Sequence, residues 1–190
     1  MKTRKILAGA TVASMVAATA LAHGGATGVV KQRMDAMGAI RGAMKVLTPM
    51  MQGKAPYDAE VVEQQAKVIG AHGGAALTEL FPEGSLDKPT EARAEIWKNW
   101  SDFQSLAAQM SLYSEGLAQA AENGLMPADQ GHMGSMMQGG MMGNQGGMML
   151  QGEMSETPDP AALASMPADG VFMMLGQTCS ACHTRYRVEK

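Results

Sequence analysis

Cys179-Ser180-Ala181-Cys182-His183 stands close to the end of a 190-residue chain, and its reading decides what the rest must build. Two thiols three positions apart, with an imidazole directly after the second, form the attachment signature of c-type haem. On a helix, positions 179 and 182 lie about one turn apart on one face, so both sulfurs reach one porphyrin edge and add to its vinyl groups. His183 follows, and from there its ring turns under the same porphyrin and offers a nitrogen to the iron. The motif predicts one covalent haem c, held by Cys179 and Cys182, with His183 as axial ligand.

Two other chemistries use the same cysteine spacing, a thioredoxin-like dithiol and half of a zinc site. The dithiol sits at the start of a helix after a strand, and nothing upstream of residue 179 reads as a βαβ unit. A zinc site needs a second ligand pair, whereas the chain has two cysteines and its other histidines, His23, His72 and His132, are widely scattered. A disulfide between residues three apart closes too small a loop to remove much chain entropy. A dithiol predicts a colourless protein with titratable thiols, which the colour of the purified protein decides.

The opposite end of the chain supplies an address. Met-Lys-Thr-Arg-Lys is followed by an apolar run over 6–18 and then Ala20-Leu21-Ala22. A charged start, an apolar centre and an Ala-x-Ala site read as a secretory signal peptide over 1–22, cleaved after Ala22, with the mature domain over 23–190. No later stretch approaches the roughly 20 apolar residues of a membrane span. The expected location is the periplasm. Loss of Lys2, Arg4 and Lys5 leaves 12 basic residues against 18 acidic ones, so the formal charge moves from −3 to −6. With no basic patch interleaved with aromatics, nucleic acid is excluded as a partner.

Between these ends the apolar residues keep helical spacing. Val30, Arg33, Met37, Ile40, Met44, Leu47 and Met51 fall in steps of three and four and predict a helix over 27–51, with a cation on its apolar stripe. Gly53 and Pro56 mark the exit, and Asp58 is placed to cap a second helix over 59–80. That helix has Val62, Ile69, Ala76 and Leu80 on its face and Gly73-Gly74 as a weak or closely packed spot. Thr90-Glu91 reads as the start of a third helix over 91–122, with Ile96, Trp100, Phe103, Ala107, Met110, Leu117 and Ala121 on one stripe. Trp97 and Trp100 read as packing before an electron path, and His72 as a structural histidine before a ligand.

Residues 125–157 differ in kind, with nine methionines and eight glycines between Met126 and Met154. Glycines at that density cost about 1 kcal/mol each relative to alanine in a helix, and no stripe persists, so the segment reads as a flexible insertion. Asp159-Pro160 then opens a short turn. Ser165-Met166-Pro167 starts the last long helix, with Phe172, Leu175, Cys179, Cys182 and Tyr186 on its stripe. Four amphipathic helices with short links and no strand signal predict an all-α antiparallel four-helix bundle.

Taken together, Val30-Lys31-Gln32-Arg33 with Met37, Gly53-Lys54-Ala55-Pro56-Tyr57-Asp58-Ala59, Glu95-Ile96-Trp97, and Cys179 to His183 followed by Tyr186-Arg187 resemble cytochrome c′, a member of the class II c-type cytochromes. The likeness spans the mature chain except for about 125–158, and only the haem motif is diagnostic alone. The resemblance implies thioethers from Cys179 and Cys182 and axial ligation by His183. It places Arg187 near the proximal haem face, Arg33 near the propionates, and Met37 over the distal face. Met37 either covers an empty sixth position, leaving the iron open to nitric oxide or carbon monoxide, or ligates the iron and suits electron transfer. A third reading of Met37 is plain core.

The function implied is single-electron transfer or reversible NO or CO binding, with a periplasmic redox partner and a homodimer formed through the first two helices. Paired carboxylates, a nucleophile with its base and a phosphate loop are all lacking, so no enzyme activity is expected. The alternative from another class is copper handling. Thioethers are soft ligands that favour Cu(I), and the Met-rich insertion with His132, plus His23 as the new N-terminus, would supply them. The competing reading of that segment is a bare surface loop, or one whose methionines absorb oxidants.

Overall fold

A computed structural model describes residues 25–87, 89–127 and 158–188. Seven α-helices lie among them: α1 (Gly28–Met51), α2 (Ala59–Gly70), α3 (Gly74–Thr78), α4 (Glu95–Lys98), α5 (Trp100–Gln119), α6 (Pro160–Ala164) and α7 (Ala168–Tyr186). The long ones form a four-helix bundle in which α2 with α3 packs on α5, α5 on α7, and α1 on α2, while α1 touches α7 only briefly. The only strand-like pairing among the described residues is an isolated antiparallel bridge between Ala92 and Arg187.

Each helix begins where local chemistry allows. Asp58 caps α2, its Oδ1 accepting from Val61 N at 3.1 Å, and Asp159 caps α6, accepting from Ala161 N at 3.2 Å. The core is built on Leu47, Val62, Ile69, Ile96, Phe103, Leu117, Leu163, Val171 and Leu175, all essentially inaccessible to solvent. Phe103 is its aromatic hub: Phe81, Trp100 and Tyr186 pack around it with ring centroids 4.9, 5.6 and 5.5 Å away. Trp97 donates its indole N–H to Phe81 O at 2.9 Å, so both tryptophans serve packing.

Several expectations need correction. The helix expected over 59–80 is two helices, because at Gly73 the chain passes so close to α5 that a Cβ would lie 2.6 Å from Ser111 Oγ. His72 sits half-buried in the turn between them, off any helix face. The helix expected over 91–122 is also divided. Residues 90–93 form no helix, Ala94 (φ −65°, ψ −18°) turns the chain into α4, and Asn99 (φ −122°, ψ 44°) closes α4 and opens α5, with a 3-10 turn over Ala121–Asn123 at the far end. Glu91 and its neighbours are drawn away from a helix start by pairing with the end of α7. The buried stripe of α1 runs through Ala36 and Ala43, with Met37 and Met44 half-buried beside it. That of α7 runs through Val171, Leu175, Thr178 and Tyr186, with Phe172, Cys179 and Cys182 at its edge.

The chain leaves the described residues after 127 and returns at 158, and both flanks are tied to the bundle. Met126 N donates to Asp169 Oδ1 at 3.0 Å, and Asn123 Nδ2 donates to Ala164 O and Met166 O at 2.7 and 2.8 Å. The signal peptide over 1–22, His23, and nearly all of the Met-rich insertion with His132 lie outside the described residues. Among the described residues no helix is long and apolar enough to cross a membrane.

Candidate haem site

The last two turns of α7 bring the motif together. Cys179 and Cys182 are both free thiols, half-buried against the edge of the core, and His183 follows with its side chain largely exposed. Burial pushes the Cys179 thiol up, and it pushes Cys182 up to about 11, helped by the neighbouring Cys179 and Asp102. Neither thiol has the lowered pKa that marks a redox dithiol or a metal-binding thiolate. Their position well inside a helix, far from any helix N-terminus, points the same way. No group of three or more His, Cys, Asp or Glu side chains that could hold a metal ion occurs among the described residues.

The end of α7 is fastened on both sides. On one side Asp102 of α5 receives Arg185 Nη1 at 2.6 Å on Oδ1 and the Tyr186 hydroxyl at 2.5 Å on Oδ2. The Arg185 bond, then the Tyr186 bond, hold the Asp102 carboxyl below its usual range, while burial and Asp102 push Tyr186 up to about 12. On the other side Arg187 meets Glu91 at 2.6 and 2.7 Å. Partial burial lowers the His183 pKa; the Arg187 charge lowers it further and Glu91 opposes.

Arg33 on α1 is buried to 5% of its free exposure, unusual for a cation. Its Nη2 donates to Ser85 O at 2.5 Å and Ser85 Oγ at 3.2 Å, and its guanidinium lies 4.5 Å from the centre of the Phe81 ring. Desolvation lowers its pKa, with Asp87 acting against that. Its Nη1 is buried and has no hydrogen-bond partner among the described residues. Such an orphaned donor on a buried cation suits an anionic acceptor held between helices. Met37, one turn after Arg33, packs half-buried on the core's edge.

These residues fit a covalently attached haem: two thiols on one face of α7, an imidazole beside them, a buried cation with a spare donor, and a seam where α1 and α7 barely meet. Residues that the sequence reading missed are Ser85, Asp102 and Glu91. Each lies far along the chain from the residue it holds, at separations of 52, 83 and 96 positions, so no periodic signal could have found them.

The family model described as Cytochrome C' matches residues 28–141, ending before Cys179. Cytochrome c-556 of Agrobacterium tumefaciens (strain II Chrys) is 28% identical over 163 residues, covering 86% of this chain and 99% of its own. A solved cytochrome c prime from Shewanella frigidimarina shares the fold with a TM-score of 0.56 at 24% identity, over 85% of this chain and 94% of that one. A ferrous variant of the Alcaligenes xylosoxidans protein, solved with bound NO, has a TM-score of 0.56 at 22% identity, over 85% and 94%. The match over more than half of the chain, and a bundle of the same architecture, make this protein a member of the cytochrome c′ family.

Proposed function

We propose that this protein is an exported c-type haem protein that exchanges single electrons or reversibly binds nitric oxide or carbon monoxide at its iron. The observation that carries the reading is the pair Cys179 and Cys182 on the last turns of α7, half-buried beside an exposed imidazole. Cys179 and Cys182 would hold haem c by thioethers and His183 would ligate its iron, with Arg187 near the proximal face and Arg33 near the propionates. Haem c, when bound, supplies an iron that changes by one electron and accepts a small ligand at an open axial position.

The chain's own contribution is placement. Tyr186 and Arg185 lock the end of α7 to Asp102, so the motif is presented by a rigid element. Arg33 offers a desolvated cation for the anionic edge of the group. Met37 decides between cover and ligand. The NO-bound form of the Alcaligenes xylosoxidans protein supports gas binding as one of the two roles. The protein acts as a carrier without catalytic turnover, in the periplasm, and as a homodimer through α1 and α2, where Val46 is 38% exposed and Gly38 and Gly42 face open space.

Visible spectra of the exported protein test this in three states: ferric, dithionite-reduced, and reduced with carbon monoxide. A broad ferrous Soret band that shifts fully with carbon monoxide means an open sixth position and gas binding, with Met37 as cover. Sharp α and β bands that resist carbon monoxide mean a six-coordinate iron and an electron carrier, with Met37 the ligand to replace. A colourless protein with two titratable thiols overturns the reading.

A further inference from the structure

The segment over 91–93 is joined to the end of α7 by its main chain. Arg93 N donates to Tyr186 O at 2.9 Å and Val188 N donates to Glu91 O at 2.8 Å, flanking the bridge between Ala92 and Arg187. Across this bridge Arg187 Nε and Nη2 both converge on Glu91 Oε2, at 2.7 and 2.6 Å. Arg187 N donates to His183 O at 3.0 Å, so the cation stands one turn beyond the imidazole. The two side chains are 48% and 36% exposed, a setting in which an ion pair adds little to stability. The main-chain bonds already hold the segment in place. What the side-chain pair adds is the position and balance of two charges beside His183.

We propose that Glu91 is a positioning residue for the axial side of the haem site: it fixes the Arg187 guanidinium relative to His183 and offsets its charge there. The inference rests on the reading that His183 ligates the iron. A positive charge near the iron favours the reduced state and a negative one the oxidised state. Arg187 stands one turn beyond His183, and Glu91 is tied to it from across the bridge. A neutral Glu91 therefore removes the negative charge that offsets Arg187, and a neutral Arg187 removes the positive charge of the pair.

The test is redox titration of the intact haem-loaded protein and four variants, Glu91→Gln, Arg187→Gln, the double variant, and Glu91→Asp. At low ionic strength Glu91→Gln should raise the ferrous-to-ferric ratio at fixed potential by at least about threefold, and Arg187→Gln should lower it by a similar factor. The double variant should lie near the parent, Glu91→Asp should restore the parent value, and added salt should shrink both shifts. A merely structural role predicts shifts of one sign in both single variants, or a lower melting temperature without a shift, and either result overturns the proposal. A haem-stained denaturing gel separates the two ways to fail. Protein without covalent haem overturns the underlying reading as well, whereas stained protein with an unmoved midpoint overturns only the role of Glu91.

Discussion

Where α2 crosses α5 the backbones meet through glycine and serine, and where α1 runs past α7 they hardly meet. At the first seam a Cβ on Gly70 would lie 3.3 Å from Ser114 Cβ, and one on Gly73 would lie 2.6 Å from Ser111 Oγ and 3.0 Å from Ser111 N. At the second, α1 has Met37 and Met44, and α7 has Phe172, Met174, Cys179 and Cys182, all half-buried on the margin of the core. A bundle with nothing to accommodate closes to native packing density on every side. This one closes on one side with the smallest residues and on the other keeps large, soft side chains short of full burial. The difference accords with the proposed haem at the open seam, while the closed seam makes the bundle stand.

The largest effect should come from emptying the open seam. Replacing both Cys179 and Cys182 by Ala removes the two anchors of the proposed thioethers, and the variant should keep no haem through a denaturing gel, against full staining of the parent. Retained stain would mean that attachment lies elsewhere and would dissolve the contrast between the seams. The next effect belongs to the closed seam. Gly73 has an ordinary backbone (φ −97°), so Gly73→Ala acts through sterics alone, against backbone atoms of Ser111 that cannot swing away. Urea denaturation should show a loss of about 1–3 kcal/mol. Because Ser111 Oγ is only part of the obstacle, Ser111→Ala in the same chain should recover part of that loss and leave a measurable coupling between the two sites.

How much of this was legible before folding divides along the same line. The haem motif, Arg33 as a cation on an apolar stripe, and the four helices follow from residue type and spacing, because helical periodicity and motif chemistry are local. The breaks are not local. Gly73-Gly74 signalled a weak or close-packed spot, but only the approach of Ser111 says that the chain turns there. Thr90-Glu91 has every mark of a helix start, yet no helix forms over 90–93 because Glu91 O and Arg93 N are used by the far end of α7. Arg33 was readable as a buried cation, whereas its holder Ser85 was just another loop residue.

Ser114 sharpens the comparison with a smaller effect. Its hydroxyl is fully buried at the α2–α5 seam and has no hydrogen-bond partner among the described residues. An unsatisfied buried hydroxyl costs on the order of 1–3 kcal/mol, and the small side chain is needed there only for its size. Ser114→Ala keeps the close approach and removes the unpaired group, so the urea midpoint should rise by the equivalent of about 1 kcal/mol. A fall of that size would show that the hydroxyl is satisfied in solution and that the seam is less dry than its geometry indicates.

The smallest effect lies at the foot of the open seam, where Asp102 ties Arg185 and Tyr186 to α5. Bonds from Arg185 and then Tyr186 depress the folded-state pKa of Asp102 below its unfolded value. A depressed acid stabilises the fold fully above the unfolded pKa, about 4, and that contribution is lost as pH falls through the folded value. The pairing with Arg185 is largely solvent-exposed, so the acid-side loss is modest and screened by salt. Between pH 5 and pH 2 the parent should therefore lose slightly more stability than Asp102→Asn, with the two curves running parallel at higher pH. Parallel curves down to pH 2 would mean that Asp102 is not held in the folded state by Arg185 and Tyr186. The anchoring of α7 would then rest on the main-chain bonds to residues 91–93 and on the packing of Tyr186 against Phe103.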